Sequence, residues 1–86
     1  MTVKIFTKQE CPRCPQAKQL GIEIEQNGHN VLYYDVETSD GLAEATFLGV
    51  QATPTIIVED AGENVVADFR GQVPTREELL QVLNAQ

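Results

Sequence analysis

Thr2-Val3-Lys4-Ile5-Phe6-Thr7-Lys8-Gln9-Glu10-Cys11-Pro12-Arg13-Cys14 begins as a short strand and ends on two cysteines with two residues between them. Thr2–Phe6 has the β-rich composition of a strand that stops just before the cysteines. From about Gln16 to Asn27 the apolar residues Ala17, Leu20 and Ile24 recur at helical spacing. The cysteines therefore sit where a strand hands over to a helix. Unpaired N–H groups and the positive end of the helix dipole favour an anion there, and a thiolate is such an anion. Cys14, about one helical turn after Cys11, can reach the same sulfur and resolve a mixed disulfide. Arg13 adds positive charge, although a solvated Arg is an equally plain reading. Pro12 has its φ preset for a first helical turn. Pro15 lacks the N–H that would bond the Cys11 carbonyl, so an irregular first turn is expected.

Farther along the chain the order of elements is clear. Asn27-Gly28 stops the first helix, with Gly28 suited to a left-handed cap. Val31–Val36 reads as a second strand. Thr38-Ser39-Asp40 offers caps for a helix over about Gly41–Leu48, which Gly49 ends. Thr55–Glu59 is apolar at Ile56, Ile57 and Val58, as a central buried strand is. Asp60-Ala61-Gly62-Glu63 carries turn chemistry, so Val65–Phe69 is expected to pair back as a hairpin. Thr75-Arg76-Glu77-Glu78 is a capping box opening a last helix through Leu79, Leu80, Val82 and Leu83. The order β-α-β-α-β-β-α implies an α/β fold. Its first two strands run parallel, its last two antiparallel, and helices cover both faces of a four-stranded mixed sheet.

Composition narrows the function. At 86 residues the chain is expected to be one domain, 1–86. No apolar run approaches a membrane span, and the N-terminal residues do not read as a signal peptide, so the cytoplasm is the expected location. A formal charge of −7 disfavours nucleic acid and anionic membranes. Nothing calls for a bound cofactor, and a monomer is expected. Two cysteines are too few for a disulfide scaffold, and a bridge over so short a loop adds little stability. Half of a zinc site is another reading of Cys-x-x-Cys. A protein-only site would need two more ligands, and the chain offers only His29, in what reads as a solvated turn. Two buried structural cysteines are the remaining plain alternative.

With these residues in view, the chain resembles the thioredoxin–glutaredoxin superfamily over nearly its whole length. Three features carry the resemblance: Cys11-Pro12-Arg13-Cys14 after the first strand, Ala52-Thr53-Pro54-Thr55 before the third, and Phe69-Arg70-Gly71 after the fourth. The resemblance implies a thioredoxin-like fold, catalytic Cys11 and Cys14, and a cis peptide before Pro54. It also implies a substrate surface of Pro12, Arg13, Thr53, Pro54 and Gly71, where the Thr53 backbone pairs with an extended target segment.

Size is glutaredoxin-like, but Phe47-Leu48-Gly49-Val50-Gln51-Ala52-Thr53-Pro54-Thr55 resembles the thioredoxin approach to its cis proline. Gly71-Gln72-Val73-Pro74-Thr75 lacks the Asp with which glutaredoxins hold glutathione. Two features depart from thioredoxins. Glu10 stands where they have Trp, placing a negative charge beside Cys11, and Ile5 stands where they have a buried Asp. The expectation is a dithiol protein-disulfide reductant, recharged by a thioredoxin-reductase-type flavoprotein. With only six Lys and Arg against thirteen Asp and Glu, an anionic tripeptide such as glutathione is a poor fit. A glutathione-dependent glutaredoxin and a carrier of an iron–sulfur cluster or metal are the alternatives.

Overall fold

Strand β1 (Thr2–Thr7) lies inside the sheet, between partners of opposite direction. In the computed structural model, which describes residues 1–85, β1 pairs in parallel with β2 (Asn30–Asp35) and antiparallel with β3 (Thr55–Glu59). β4 (Val65–Arg70) pairs antiparallel with β3, with a bulge at Val58/Glu59, giving the order β2-β1-β3-β4. Helices α1 (Cys14–Gln26), α2 (Ser39–Phe47) and α3 (Arg76–Asn84) complete the β-α-β-α-β-β-α chain. None of the helices described is long and apolar enough to cross a membrane.

Side chains alternate along each strand, so every strand serves two layers. Val3 and Ile5 of β1 and Ile56 and Val58 of β3 pack with Ala17, Leu20 and Ile24 of α1 and Leu79 and Leu83 of α3. Phe6 and Ile57 pack the other way, with Ala45 of α2, and the Phe6 ring stacks on Tyr34 at 5.1 Å. β3 is buried along its full length, which explains its unbroken apolar run.

One polar group belongs to the α2 layer. Lys4 is buried between Glu59 Oε1 at 3.0 Å and Glu44 Oε2 at 2.5 Å, 5.9 Å from the centre of the Tyr34 ring. Burial pulls the Lys4 ammonium down, but the bonds to the two carboxylates outweigh it and leave its pKa raised.

The ends of the elements follow the expected chemistry. Thr38 Oγ1 accepts from Gly41 N at 3.0 Å at the start of α2. Thr75 and Glu78 form the reciprocal capping box, which holds the Glu78 carboxyl below its ordinary range. Asp60 Oδ1 accepts from the backbone of Asn64 and Gly62 in the β3–β4 turn, and its carboxyl is lowered in the same way. Boundaries differ from the sequence reading by one or two residues. α1 begins at Cys14 rather than Gln16, because the first-turn N–H groups have no intrahelical acceptor and Pro15 sacrifices nothing there. β2 begins at Asn30, whose amide donates to Thr2 Oγ1 at 3.2 Å.

Candidate active site

Cys11 and Cys14 are joined by a disulfide, with Sγ atoms 2.16 Å and Cα atoms 5.3 Å apart. The helix does not start at Cys11. Cys14 is the first residue of α1, Arg13 is its N-cap, and Cys11 lies one turn upstream. With Pro15 unable to donate, the Cys11 carbonyl accepts from Cys14 N at 3.2 Å, and regular helical bonding starts with Ala17 N to Arg13 O at 3.2 Å. The nucleophile candidate therefore sits just outside the helix, and Cys14 sits at the positive end itself. Cys11 is 9% exposed and Cys14 2%, so Cys11 is the more accessible residue of the pair.

The second wall of the site is the segment between α2 and β3. The Thr53–Pro54 peptide is cis. The Pro54 carbonyl accepts from Gly71 N at 2.9 Å, which brings the third sequence feature onto the second. Gly71 has φ 70°, a left-handed conformation that favours glycine. Thr55 Oγ1 donates to Ala52 O at 2.7 Å from below.

Between the walls lies a groove of about 510 Å³. Cys11, Pro12 and Thr53 line it, over an apolar floor that includes Val36, Leu42, Ala45 and Val50, with Lys8 and Glu10 at the rim. Arg13, Pro54 and Gly71 are not among its lining residues. Arg13 is exposed, and Gly71 N donates to the carbonyl that follows the cis peptide.

Three contributors have no role assigned by the sequence alone. Arg70 spans from Asp68 Oδ2 at 2.7 Å to the Gly49 and Leu48 carbonyls at 3.0 and 3.2 Å, fastening the segment that leads to Thr53. Glu37 Oε1 accepts from Gln9 N at 2.9 Å, beside the cysteine loop. Leu42 of α2 is exposed although apolar, and it lines the groove. The position expected to hold a buried acid is Ile5, fully buried under α1. The buried acid Glu59 belongs to the opposite face of the sheet, with Lys4.

Electrochemically, the site offers a reversible two-electron couple with one sulfur toward a groove and its partner buried behind it. Oxidised, it can take electrons from a dithiol; reduced, it can open a disulfide that reaches Cys11.

The family described as "Thioredoxin domain" matches residues 1–84. The chain is 30% identical to a probable thioredoxin of Archaeoglobus fulgidus over 59 residues, covering 67% of this chain and 65% of that protein. It is 27% identical to a thioredoxin of Methanocaldococcus jannaschii over 82 residues, covering 94% of this chain and 89% of the other. Among solved structures it is similar to thioredoxin f2 in a complex with ferredoxin:thioredoxin reductase. The TM-score there is 0.76 and the identity 22%, over 98% of this chain and 74% of the other. With its sheet order, its cis Thr53–Pro54 peptide and its Cys11–Cys14 pair, the chain belongs to the thioredoxin domain family and is a thiol–disulfide oxidoreductase.

Proposed function

We propose that the protein is a single-domain, monomeric reductant of protein disulfides in the cytoplasm. The Cys11 thiolate attacks one sulfur of a target disulfide, forming a mixed disulfide and expelling the other target sulfur, which takes a proton. Cys14 then gives up its proton and attacks the Cys11 sulfur. The second target thiol leaves, and the protein is left as the Cys11–Cys14 disulfide, two electrons having passed to the target. A thioredoxin-reductase-type flavoprotein supplies two electrons and two protons to restore the dithiol. Carrying this reading is the groove that Cys11, Pro12 and Thr53 line together, which leaves an extended target chain room beside the reactive sulfur. Arg13, Pro54 and Gly71 complete the substrate surface, Pro54 and Gly71 by fixing the Thr53 backbone. That a similar fold, thioredoxin f2, is held in complex with a reductase supports a protein electron donor.

The test is a pair of substitutions. Cys11→Ser abolishes disulfide reduction, and Cys14→Ser accumulates a covalent adduct with the target that dithiothreitol releases. An adduct on Cys11→Ser, with normal turnover by Cys14→Ser, reverses the roles. The donor is tested by turnover at matched pH and potential. Fast reduction by the flavoprotein and slow reduction by glutathione is the expected result. Rapid glutathione-driven reduction of a glutathionylated substrate, with no response to the flavoprotein, moves the chain to the glutaredoxin class.

A further inference from the structure

Lys8, Gln9 and Glu10 connect β1 to Cys11 outside any helix or strand. Glu10, the residue immediately before the nucleophile, has φ 54°. Non-glycine residues rarely adopt this left-handed conformation, and it persists only where its surroundings hold it. Among the described residues no hydrogen bond within the loop does so. What reaches it is Glu37, whose Oε1 accepts the Gln9 backbone N–H at 2.9 Å from 28 residues away.

Glu37 is itself held. Its own N–H donates to Asp35 Oδ1 at 2.8 Å, and the neighbouring Thr38 N and Oγ1 both donate to the Asp35 carbonyl, at 3.0 and 2.8 Å. Thr38 in turn caps α2 through Gly41 N. On the other flank, Val36 N donates to Thr7 O at 3.0 Å, extending the β1–β2 ladder to the base of the loop. The corner between β2 and α2 is thus a bracket with two arms, one on the loop's root and one, Glu37, on its middle.

We propose that Glu37 is a positioning residue for the nucleophile: its carboxylate fixes Gln9, keeps Glu10 left-handed, and so sets the direction in which Cys11 faces the groove. Glu37 touches neither sulfur nor substrate in this role. The bond to Gln9 needs an acceptor oxygen and not a charge. Acceptor and charge are separable, because Gln at this position keeps an acceptor oxygen and drops the charge.

The inference rests on Cys11 being the attacking thiol, and Cys11→Ser in the same assay checks that independently. Pre-reduced full-length protein is mixed with the small disulfide 5,5′-dithiobis(2-nitrobenzoate), and the rate is followed against pH up to its alkaline plateau, where Cys11 is fully thiolate. Glu37→Ala is expected to lower the plateau roughly three- to tenfold, and Glu37→Gln to stay within about twofold of wild type. A plateau unchanged in Glu37→Ala overturns the proposal, and so does a Glu37→Gln plateau as low as that of Glu37→Ala. Should Glu37→Ala not fold, amide exchange in the wild type decides. The Gln9 amide is expected to exchange at least about tenfold more slowly than in an unstructured chain. Exchange at the unstructured rate overturns the proposal.

Discussion

Lys4 shows how far one side chain can bind separate parts of the chain. Its ammonium joins β1 to Glu59 on β3 and to Glu44 on α2. The Lys4 side chain is 10% exposed and that of Glu59 5%, so neither charge retains much water. Lys4→Met leaves Glu59 charged, buried and unpaired, and is expected to destabilise the protein by about 3–5 kcal/mol. Adding Glu59→Leu to Lys4→Met recovers most of that loss, a comparison read from urea midpoints. A single variant as stable as wild type would show that the cluster contributes nothing. Nothing in the sequence separated Lys4 from any solvated lysine in a strand, nor Glu37 and Arg70 from surface charges. Their roles come from partners 21 to 55 positions distant, which no local period records. Cys11, Cys14, Pro54 and Gly71 were legible for the opposite reason. Each is a residue type whose chemistry or backbone demands little context to interpret.

At the scale of elements, type was readable and ends were not. Ile56-Ile57-Val58 reads as a strand covered on both sides whatever its neighbours are, and so it proves. The start of α1 depended on Pro15 and the start of β2 on a cross-strand amide, features that act over a single residue. How closely α2 approaches β2 was likewise hidden. A Cβ on Gly41 would fall 1.8 Å from the Asp35 carbonyl oxygen, so only glycine allows this helix to sit here. Gly41→Ala must push α2 away from the corner that carries Glu37. The expected loss is ~3 kcal/mol, at the upper end of overpacking costs, with a fall in disulfide reduction that exceeds the loss of folded protein. Activity lost only in proportion to unfolding would separate the helix position from the site.

For the molecule as a whole, stability should fall at both ends of the pH scale. Tyr33 is pushed up to about 12, first by burial and then by its hydrogen bond to Glu25 Oε1 at 2.6 Å. A group whose pKa is raised by folding stabilises below its unfolded value, ~10 for Tyr, and loses that contribution as pH climbs through the folded value. The raised Lys4 acts in the same direction. Asp60 and Glu78, lowered by backbone amides, contribute above their ordinary values of 3.8 and 4.5 and lose it as pH falls. Urea midpoints are therefore expected to drop between about pH 10 and about pH 12, and less steeply in Tyr33→Phe. Equal slopes in the two proteins would remove Tyr33 from the account.

The position of β1 has a consequence for how the protein is made. The strand leaves the ribosome 55 residues ahead of its partner on β3, Val58 against Val3. Until then Val3–Phe6 can pair only with β2, on one side, while its other edge waits for a segment not yet translated. The cooperative fold cannot close until β3 has cleared the exit tunnel. A stalled nascent chain would therefore present a strand that the finished fold buries to proteases and holdases, and the reactive cysteines, made just after β1, would meet the oxidants of the cell before the groove that shelters them exists.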